Sequence, residues 1–138
     1  PATGTLSIRR VGPVATANTY VEEDLYWLSR IIYAESGNQS LDGKIAVGNV
    51  VLNRVASPRF PNSVYEVIFQ RNQFTPAANG SINRTPSAES VVAAKLCLDG
   101  ANTAGSALYF VNPTVAPGSW ASRNRPYVAT IGAHAFYG

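Results

Sequence analysis

The stretch DLYWLSRIIYAESG, from Asp24 to Gly37, predicts a helix whose last turn carries a carboxylate on the buried face. The apolar residues recur at the three-to-four spacing of a helix with one buried face; they are Leu25, Leu28, Ile31 and Ile32. At about 100° per residue, Glu35 lies roughly 20° from Leu28 around the helix axis. The first long helix therefore places a glutamate among core residues, and the rest of the fold has to accommodate it.

Both ends of this helix carry recognisable signals. Thr19 is a candidate N-cap, with Glu22 as the capping-box partner three residues later. Gly37 offers a position at which the helix can end. The predicted helix therefore starts shortly after Thr19 and stops directly after the glutamate.

The predicted position of Glu35 has a chemical consequence. Apolar surroundings disfavour a charged carboxylate and raise its pKa, and the negative end of the helix dipole acts in the same direction. A carboxylic acid that stays protonated near neutral pH can serve as a general acid. Two structural alternatives stay open: Glu35 pairs with Arg30 or Arg54, or it reaches solvent at a frayed helix end.

The composition excludes several classes of protein. A chain of 138 residues, 46% hydrophobic and only 14% charged, fits a single folded domain. A net charge of +3 suits an anionic partner, but the absence of a basic run argues against nucleic acid. No apolar stretch approaches the length of a membrane span. One cysteine, predicted to be a core residue, and one histidine supply no zinc constellation, so we predict no metal and no cofactor.

The chain contains no methionine and starts at Pro1, which we interpret as a processed form or an excised fragment. Residues 1–18 combine Pro, Gly, Thr and Ala without a clear period. We interpret them as a linker or N-terminal arm.

A second helix is predicted over Leu41–Ala56, with Ser40 as its N-cap. Its apolar residues cover most of the circumference, which predicts a buried helix. Gly48 in its middle indicates close approach by another helix. Asn49 and Asn53 share a face, and we predict structural hydrogen-bond partners for them rather than a ligand.

The middle of the chain is less regular. Ser63 and Glu66 form a predicted capping box for a short helix, and residues 71–86 have the composition of a long irregular loop. This loop holds Gln73 and Phe74, an amide beside an aromatic ring, which suits a sugar bearing an N-acetyl group. The alternative, in which Phe74 fills the core and Gln73 bonds to backbone, stays open.

The last third predicts one more helix and a small sheet. Thr85 is the predicted cap, Pro86 the first helical residue and Gly100 the end, with Val92, Leu96 and Cys97 facing inward. Period-two runs then follow at 107–111, 127–131 and 134–137. A tight turn at Gly132-Ala133 predicts a hairpin between the last two. These elements predict an α+β domain with a helical core and a small antiparallel sheet from the C-terminal part.

The motifs together resemble the SleB/CwlJ-type spore cortex-lytic cell-wall hydrolases. The resemblance covers roughly residues 25–137. In chain order it is carried by LSRIIYAESGNQSLDGKIAVGNVVLNRVASPRFPNSVYEVI, QFTPAANGSINRTPSAES, ALYFVNP and IGAHAFY. It implies a lysozyme-like catalytic domain, here residues 19–138, that acts on bacterial peptidoglycan. The family is involved in germination, so the resemblance implies a secreted enzyme located outside the cytoplasm, in the cell wall or spore cortex.

The resemblance also assigns site residues. Glu35 matches the acid of the family's AE motif, and Ser36 completes a pair that looks like the glutamate-serine start of lytic transglycosylase motifs. Ala133 stands where an asparagine is common, which puts a polar role at that position in doubt. The implied substrate-binding residues are Gln73, Phe74, Tyr109, Asn112, His134 and Tyr137.

The count of carboxylates bears on the mechanism. Glycoside hydrolysis normally uses two of them, and among eight acidic residues only Asp42 is near Glu35 in sequence. A single glutamate suits a lytic transglycosylase, which acts as acid and then as base and leaves 1,6-anhydro products. The alternatives are a hydrolytic muramidase that uses a second acid, and a non-catalytic peptidoglycan-binding module. We expect a monomer whose partner is the glycan strand.

Overall fold

Residues 21–138 are the part of the chain that the computed structural model describes. The predicted linker over residues 1–18 and the predicted cap Thr19 lie outside this part. The helices are α1 (Glu22–Ser36), α2 (Leu41–Ala56), α3 (Val64–Ile68), α4 (Thr75–Asn79), α5 (Ala88–Leu98) and α6 (Trp120–Asn124), and a 3-10 turn follows α4 at Ser81–Asn83. The strands are β1 (Tyr109–Val111), β2 (Tyr127–Ile131) and β3 (His134–Tyr137).

The three longest helices, α1, α2 and α5, pack against one another and form the core. Leu28, Ile31 and Ile32 of α1 are fully buried, which confirms the predicted inward face. The predicted start of α1 is wrong, because the helix begins at Glu22 with Val21 at the N-cap and no side-chain cap. Three acidic residues, Glu22, Glu23 and Asp24, lie in the first turn, where their charges complement the helix dipole.

Helix α2 has the predicted bounds and the predicted cap, since the Ser40 hydroxyl accepts a hydrogen bond from the Gly43 N–H at 3.1 Å. The close approach at Gly48 is confirmed: a Cβ there would lie 2.6 Å from Cys97 Sγ on α5 and 3.0 Å from Ile32 Cδ1 on α1. Gly48 is therefore the point at which the three core helices meet.

The two asparagines of α2 have structural partners, as predicted. The Asn49 amide donates to the Ala101 carbonyl at 2.9 Å, and its oxygen accepts from the Thr103 N–H at 2.8 Å. The Asn53 amide donates to the Gly105 carbonyl at 3.0 Å, among other contacts. Both side chains bind the segment between α5 and β1 to the central helix.

Several boundaries differ from prediction. The predicted irregular loop over residues 71–86 contains α4 and the 3-10 turn. Helix α5 is capped by Ser87 rather than Thr85, because the Ser87 hydroxyl accepts from the Ser90 N–H. Val92 faces solvent instead of the core, whereas Cys97 is buried as predicted. Helix α6 was not predicted.

The strands form an antiparallel sheet in the order β1-β3-β2. Tyr109 pairs with Tyr137 and Phe110 with Phe136, and the hairpin between β2 and β3 turns at Gly132, as predicted. The sheet packs beside α2. The α+β prediction with a small C-terminal sheet is confirmed. No helix within residues 21–138 is long and apolar enough to cross a membrane.

Candidate active site

Glu35 lies in the last turn of α1 at the junction of two cavities. One cavity, of about 550 Å³, is bounded by the loop after α1 and by the β2–β3 turn. The other, of about 460 Å³, is bounded by α4 and by the segment that follows β1. Glu35, Asn112 and His134 line both cavities. The two cavities therefore meet at these three side chains and form a groove, which we call the Glu35 groove.

The carboxylate of Glu35 is desolvated and unpaired. Burial raises its pKa above the ordinary value of 4.5. The structure shows no hydrogen bond or ion pair to this carboxylate from any residue between 21 and 138. This group therefore has the property that a general acid requires, a proton retained toward neutral pH.

Neither arginine that could have paired with Glu35 does so. Arg30 donates to the backbone carbonyls of Asn83 and Arg84 at 3.0 and 2.9 Å. Arg54 donates to the Leu108 carbonyl at 2.8 Å and to the Gln73 Oε1 atom at 3.0 Å. The ion-pair alternative is therefore wrong.

His134 completes the centre of the groove. Only 7% of its surface is exposed, and its Nδ1 atom is buried without a hydrogen-bond partner in the described part of the chain. Burial lowers the pKa of the imidazole, so the ring is neutral at neutral pH. The ring stands edge-on to Phe110 with the centroids 5.2 Å apart, which fixes its orientation.

The side-chain oxygen of Asn112 is hydrogen-bonded to the backbone. Its Oδ1 atom accepts from the N–H groups of Thr114 at 3.0 Å and Val115 at 3.3 Å, which shapes the loop after β1. Its amide NH2 has no partner among residues 21–138. This NH2 is therefore a donor available to a ligand in the groove.

Gln73 and Phe74 both line the second cavity. The Gln73 Oε1 atom accepts from the Arg54 guanidinium at 3.0 Å, so the side chain bonds to a side chain rather than to backbone. Phe74 is 5% exposed and belongs to the core, and it also lines the cavity. Both alternatives for Phe74 therefore hold in part, because the ring fills the core and also forms cavity wall.

The remaining motif residues lie elsewhere. Tyr109 and Tyr137 line neither of the two cavities. The ring of Tyr109 packs 5.6 Å from that of Trp120, and Tyr137 packs 5.9 Å from Tyr127. Ser36 is fully buried, and its hydroxyl donates to the Ile32 carbonyl at 2.7 Å, so it serves the helix rather than the groove.

The structure adds two residues that sequence reasoning did not place in the site. Arg54 lines the second cavity, although it was considered only as an ion-pair partner. Gln39 lines the first, and its Oε1 atom accepts from the Ala133 N–H at 3.0 Å. The buried ammonium of Lys44 holds the Gln39 carbonyl at 2.6 Å and Glu89 at 2.7 Å. The position of a lysine among the apolar residues of α2 could have indicated this buried hydrogen-bonding role.

No second carboxylate lines either cavity. All eight acidic side chains lie within the described residues, and only Glu35 borders the groove. Asp42 is exposed in the first turn of α2. Over the same residues there is no cluster of three or more His, Cys, Asp or Glu side chains that could hold a metal ion.

Comparisons with known proteins agree with this picture. Residues 38–137 match the family described as Cell Wall Hydrolase, a range that begins after Glu35. A spore cortex-lytic enzyme of Bacillus cereus is 38% identical over 119 residues, which cover 86% of this chain and 46% of the relative. One from Bacillus subtilis is 35% identical over 117 residues, covering 85% and 38%. The chain thus spans less than half the length of these relatives.

Solved structures extend the likeness to the fold. The catalytic domain of the germination-specific lytic transglycosylase SleB from Bacillus anthracis superimposes with a TM-score of 0.80 at 37% identity. That match covers 88% of this chain and 99% of the other. The catalytic domain of the Bacillus cereus SleB protein gives a TM-score of 0.79 at 36% identity, covering 92% and 100%.

Proposed function

Because the chain belongs to the Cell Wall Hydrolase family, we propose that it is a lytic transglycosylase acting on peptidoglycan. It cleaves the bond between N-acetylmuramic acid, or muramic lactam, and N-acetylglucosamine. The similar solved domain is described as a lytic transglycosylase, and the relatives as spore cortex-lytic enzymes. The observation that carries the proposal is that, among residues 21–138, Glu35 is the only acidic side chain bordering the groove, and it is desolvated and has no partner there.

In the first step Glu35 acts as the acid. Its protonated carboxyl donates to the glycosidic oxygen as the bond from that oxygen to C1 of the muramyl ring breaks, and the N-acetylglucosamine leaves with a free hydroxyl. Burial keeps the proton on Glu35 at a pH at which an exposed glutamate has lost it.

In the second step the resulting carboxylate acts as the base. It takes the proton from the C6 hydroxyl of the same muramyl ring, whose oxygen then bonds to C1. The product is a 1,6-anhydro ring, Glu35 regains its proton, and no water is consumed. One side chain suffices because the nucleophile belongs to the substrate, which holds it beside C1.

The other groove residues position the substrate. The free NH2 of Asn112 and the half-satisfied amide of Gln73 can bind N-acetyl carbonyls and hydroxyls. The neutral imidazole of His134 lies beside Glu35 without adding a positive charge that would lower the pKa of the acid. Phe74 supplies an apolar edge to the cavity.

The two alternatives fit less well. A hydrolytic muramidase needs a second carboxylate across the scissile bond, and Asp42, its candidate, is outside both cavities. A non-catalytic binding module has no need of a desolvated acid without a partner. The catalytic domain that we propose is the segment 19–138. It works as a monomer, since one chain supplies the residues of the groove. Its substrate places it outside the cytoplasm, in the wall or cortex.

The test is mass spectrometry of the products from cortex and vegetative peptidoglycan. The wild-type domain should release muropeptides lighter by one water than hydrolytic products. Glu35→Gln should lower the rate by about 10²–10⁴-fold, the usual contribution of a general acid–base. Asp42→Asn, a matched removal of a carboxylate, should keep full activity. Reducing ends in the wild-type digest would favour the muramidase, and undiminished cleavage by Glu35→Gln would refute the site.

A further inference from the structure

The outer face of the sheet carries a row of tyrosines. Tyr109, Tyr137 and Tyr127 are aligned across β1, β3 and β2 by the strand register. Directly paired residues of neighbouring strands point to the same face. Phe110 and Phe136, one position along, occupy the opposite face toward the core. The three tyrosines therefore form one outward row, in which Tyr127 is 62% exposed.

A tryptophan extends this row. Helix α6 lies against β1 and presents Trp120, whose side chain is 55% exposed. The centroids of the Trp120 and Tyr109 rings are 5.6 Å apart, and those of Tyr127 and Tyr137 are 5.9 Å apart. We call these four residues the aromatic shelf. Trp120 and Tyr127 at its two ends are exposed, and Tyr109 and Tyr137 between them are half-buried. Exposed aromatic patches of this kind mark binding surfaces on soluble proteins.

Arg54 connects the aromatic shelf to the Glu35 groove. It lines the cavity that contains Glu35, and its guanidinium carbon lies 5.2 Å from the centroid of Tyr109. Arg125 approaches the same ring to 5.7 Å. One buried side chain therefore contacts both the shelf and the groove, and both arginines give this region positive charge.

We propose that the aromatic shelf is a second carbohydrate-binding site, which holds a sugar of the glycan strand distant from the bond being cleaved. The C–H groups on one face of a pyranose ring carry partial positive charge and pack against the negative face of an aromatic ring. Phenol and indole groups at the rim can bond to sugar hydroxyls. Arg54 and Arg125 give this region a positive charge that attracts the lactyl carboxylates of muramyl groups without a stem peptide. The proposal rests on the proposed function, since the ligand is its substrate.

The experiment measures binding of glycan strands stripped of stem peptides by an amidase, in the Glu35→Gln background, which prevents cleavage. Trp120→Ala should weaken binding of long strands about 3- to 10-fold, the range typical of an aromatic contact. The loss should be smaller for a fragment of two disaccharides, which offers fewer sugars to occupy the groove and the shelf together. Trp120→Phe should restore most of the affinity, because it keeps an aromatic face.

Tyr26→Ala provides the matched control, because Tyr26 is a similarly exposed aromatic residue on α1. It should bind long strands as the parent does. Equal affinity of Trp120→Ala and its parent would overturn the proposal. So would equal losses for long and short strands, or a loss confined to strands that retain stem peptides, which would indicate a peptide contact.

Emission of Trp120 gives a second readout. Saturation with long strands should shift the emission to shorter wavelength in the parent but not in Trp120→Phe, and the absence of this difference would also overturn the proposal. The two proposals fail separately. Cleavage retained by Glu35→Gln refutes the transglycosylase mechanism, whereas the binding data decide the aromatic shelf.

Discussion

Replacing Gly48 by alanine tests how tightly the helix that carries Glu35 is pressed onto the core. The added methyl would lie 2.6 Å from Cys97 Sγ and 3.0 Å from Ile32 Cδ1, well inside normal contact distance. Cys97 is buried, and its sulfur lies 3.3 Å from the Ile45 carbonyl, so it has little room to withdraw. Either Cys97 shifts or α1 and α5 move away from α2.

The magnitude follows from two opposing terms. Overpacking of a filled core costs about 1–3 kcal/mol, and alanine is better than glycine inside a helix by about 1 kcal/mol. Gly48→Ala should therefore lower the free energy of unfolding by up to about 2 kcal/mol. In a Cys97→Ala background the sulfur is gone and only the approach to Ile32 Cδ1 at 3.0 Å remains, so the same substitution should cost about 1–2 kcal/mol less than in the parent.

The assay is urea denaturation of the four proteins in this double-mutant cycle, with midpoint and slope compared. Cys97→Ala alone should cost free energy, because it leaves a small cavity. The smaller loss of stability in the Cys97→Ala background is the decisive result. If Gly48→Ala were equally destabilising in both backgrounds, contact with the sulfur would not be the reason for glycine at this position.

Three further predictions concern the groove and the turn beside it. Since burial raises the pKa of Glu35 above 4.5, cleavage should persist above that pH and then fall as the acid loses its proton. For the same reason the folded state binds this proton more tightly than the unfolded state does. The free energy of unfolding of the wild type, relative to that of Glu35→Gln, should therefore fall as pH rises from about 4.5 through the raised pKa. A difference in melting temperature that stays constant with pH would contradict this. Gly132→Ala should cost about 1–2 kcal/mol, because φ is +58° and the new Cβ would strike the Gln39 Oε1 atom that holds the β2–β3 turn. In a Gln39→Ala background the backbone strain at φ +58° remains but the clash is gone, so the penalty measured by chemical denaturation should be smaller. Equal penalties in both backgrounds would exclude the clash.

Elements whose signal is local could be predicted from the sequence. The apolar spacing in α1 and α2 reports burial directly, so it identified Leu28, Ile31 and Ile32 as core residues. The Ser40 cap and the turn at Gly132 also depend on neighbouring residues only. Elements without such signals were missed. Helix α6 is an example, because its five residues are too few to show a helical period.

The site depended on information that is not local. The AE motif located Glu35, but which residues face it is decided by tertiary packing. Strand alternation puts Tyr109 on the opposite face from Phe110, so the resemblance named a tyrosine whose ring lies outside the groove. Arg54 was not predicted as a groove residue. The apolar residues of α2 cover most of the helix surface, and this pattern gave no reason to expect a buried cation there.

Arg54 also shows how the fold can keep an acid protonated with a cation close by. Burial lowers the pKa of Arg54 only to about 10, so the guanidinium stays charged at neutral pH. Turned toward Glu35 it would favour the carboxylate and lower the pKa of the acid. Its hydrogen bonds go instead to the Leu108 carbonyl and Gln73, and its face lies against aromatic rings. Under the mechanism that we propose, Gln73 is therefore a positioning residue, because it accepts a hydrogen bond from Arg54 and so holds that guanidinium away from Glu35.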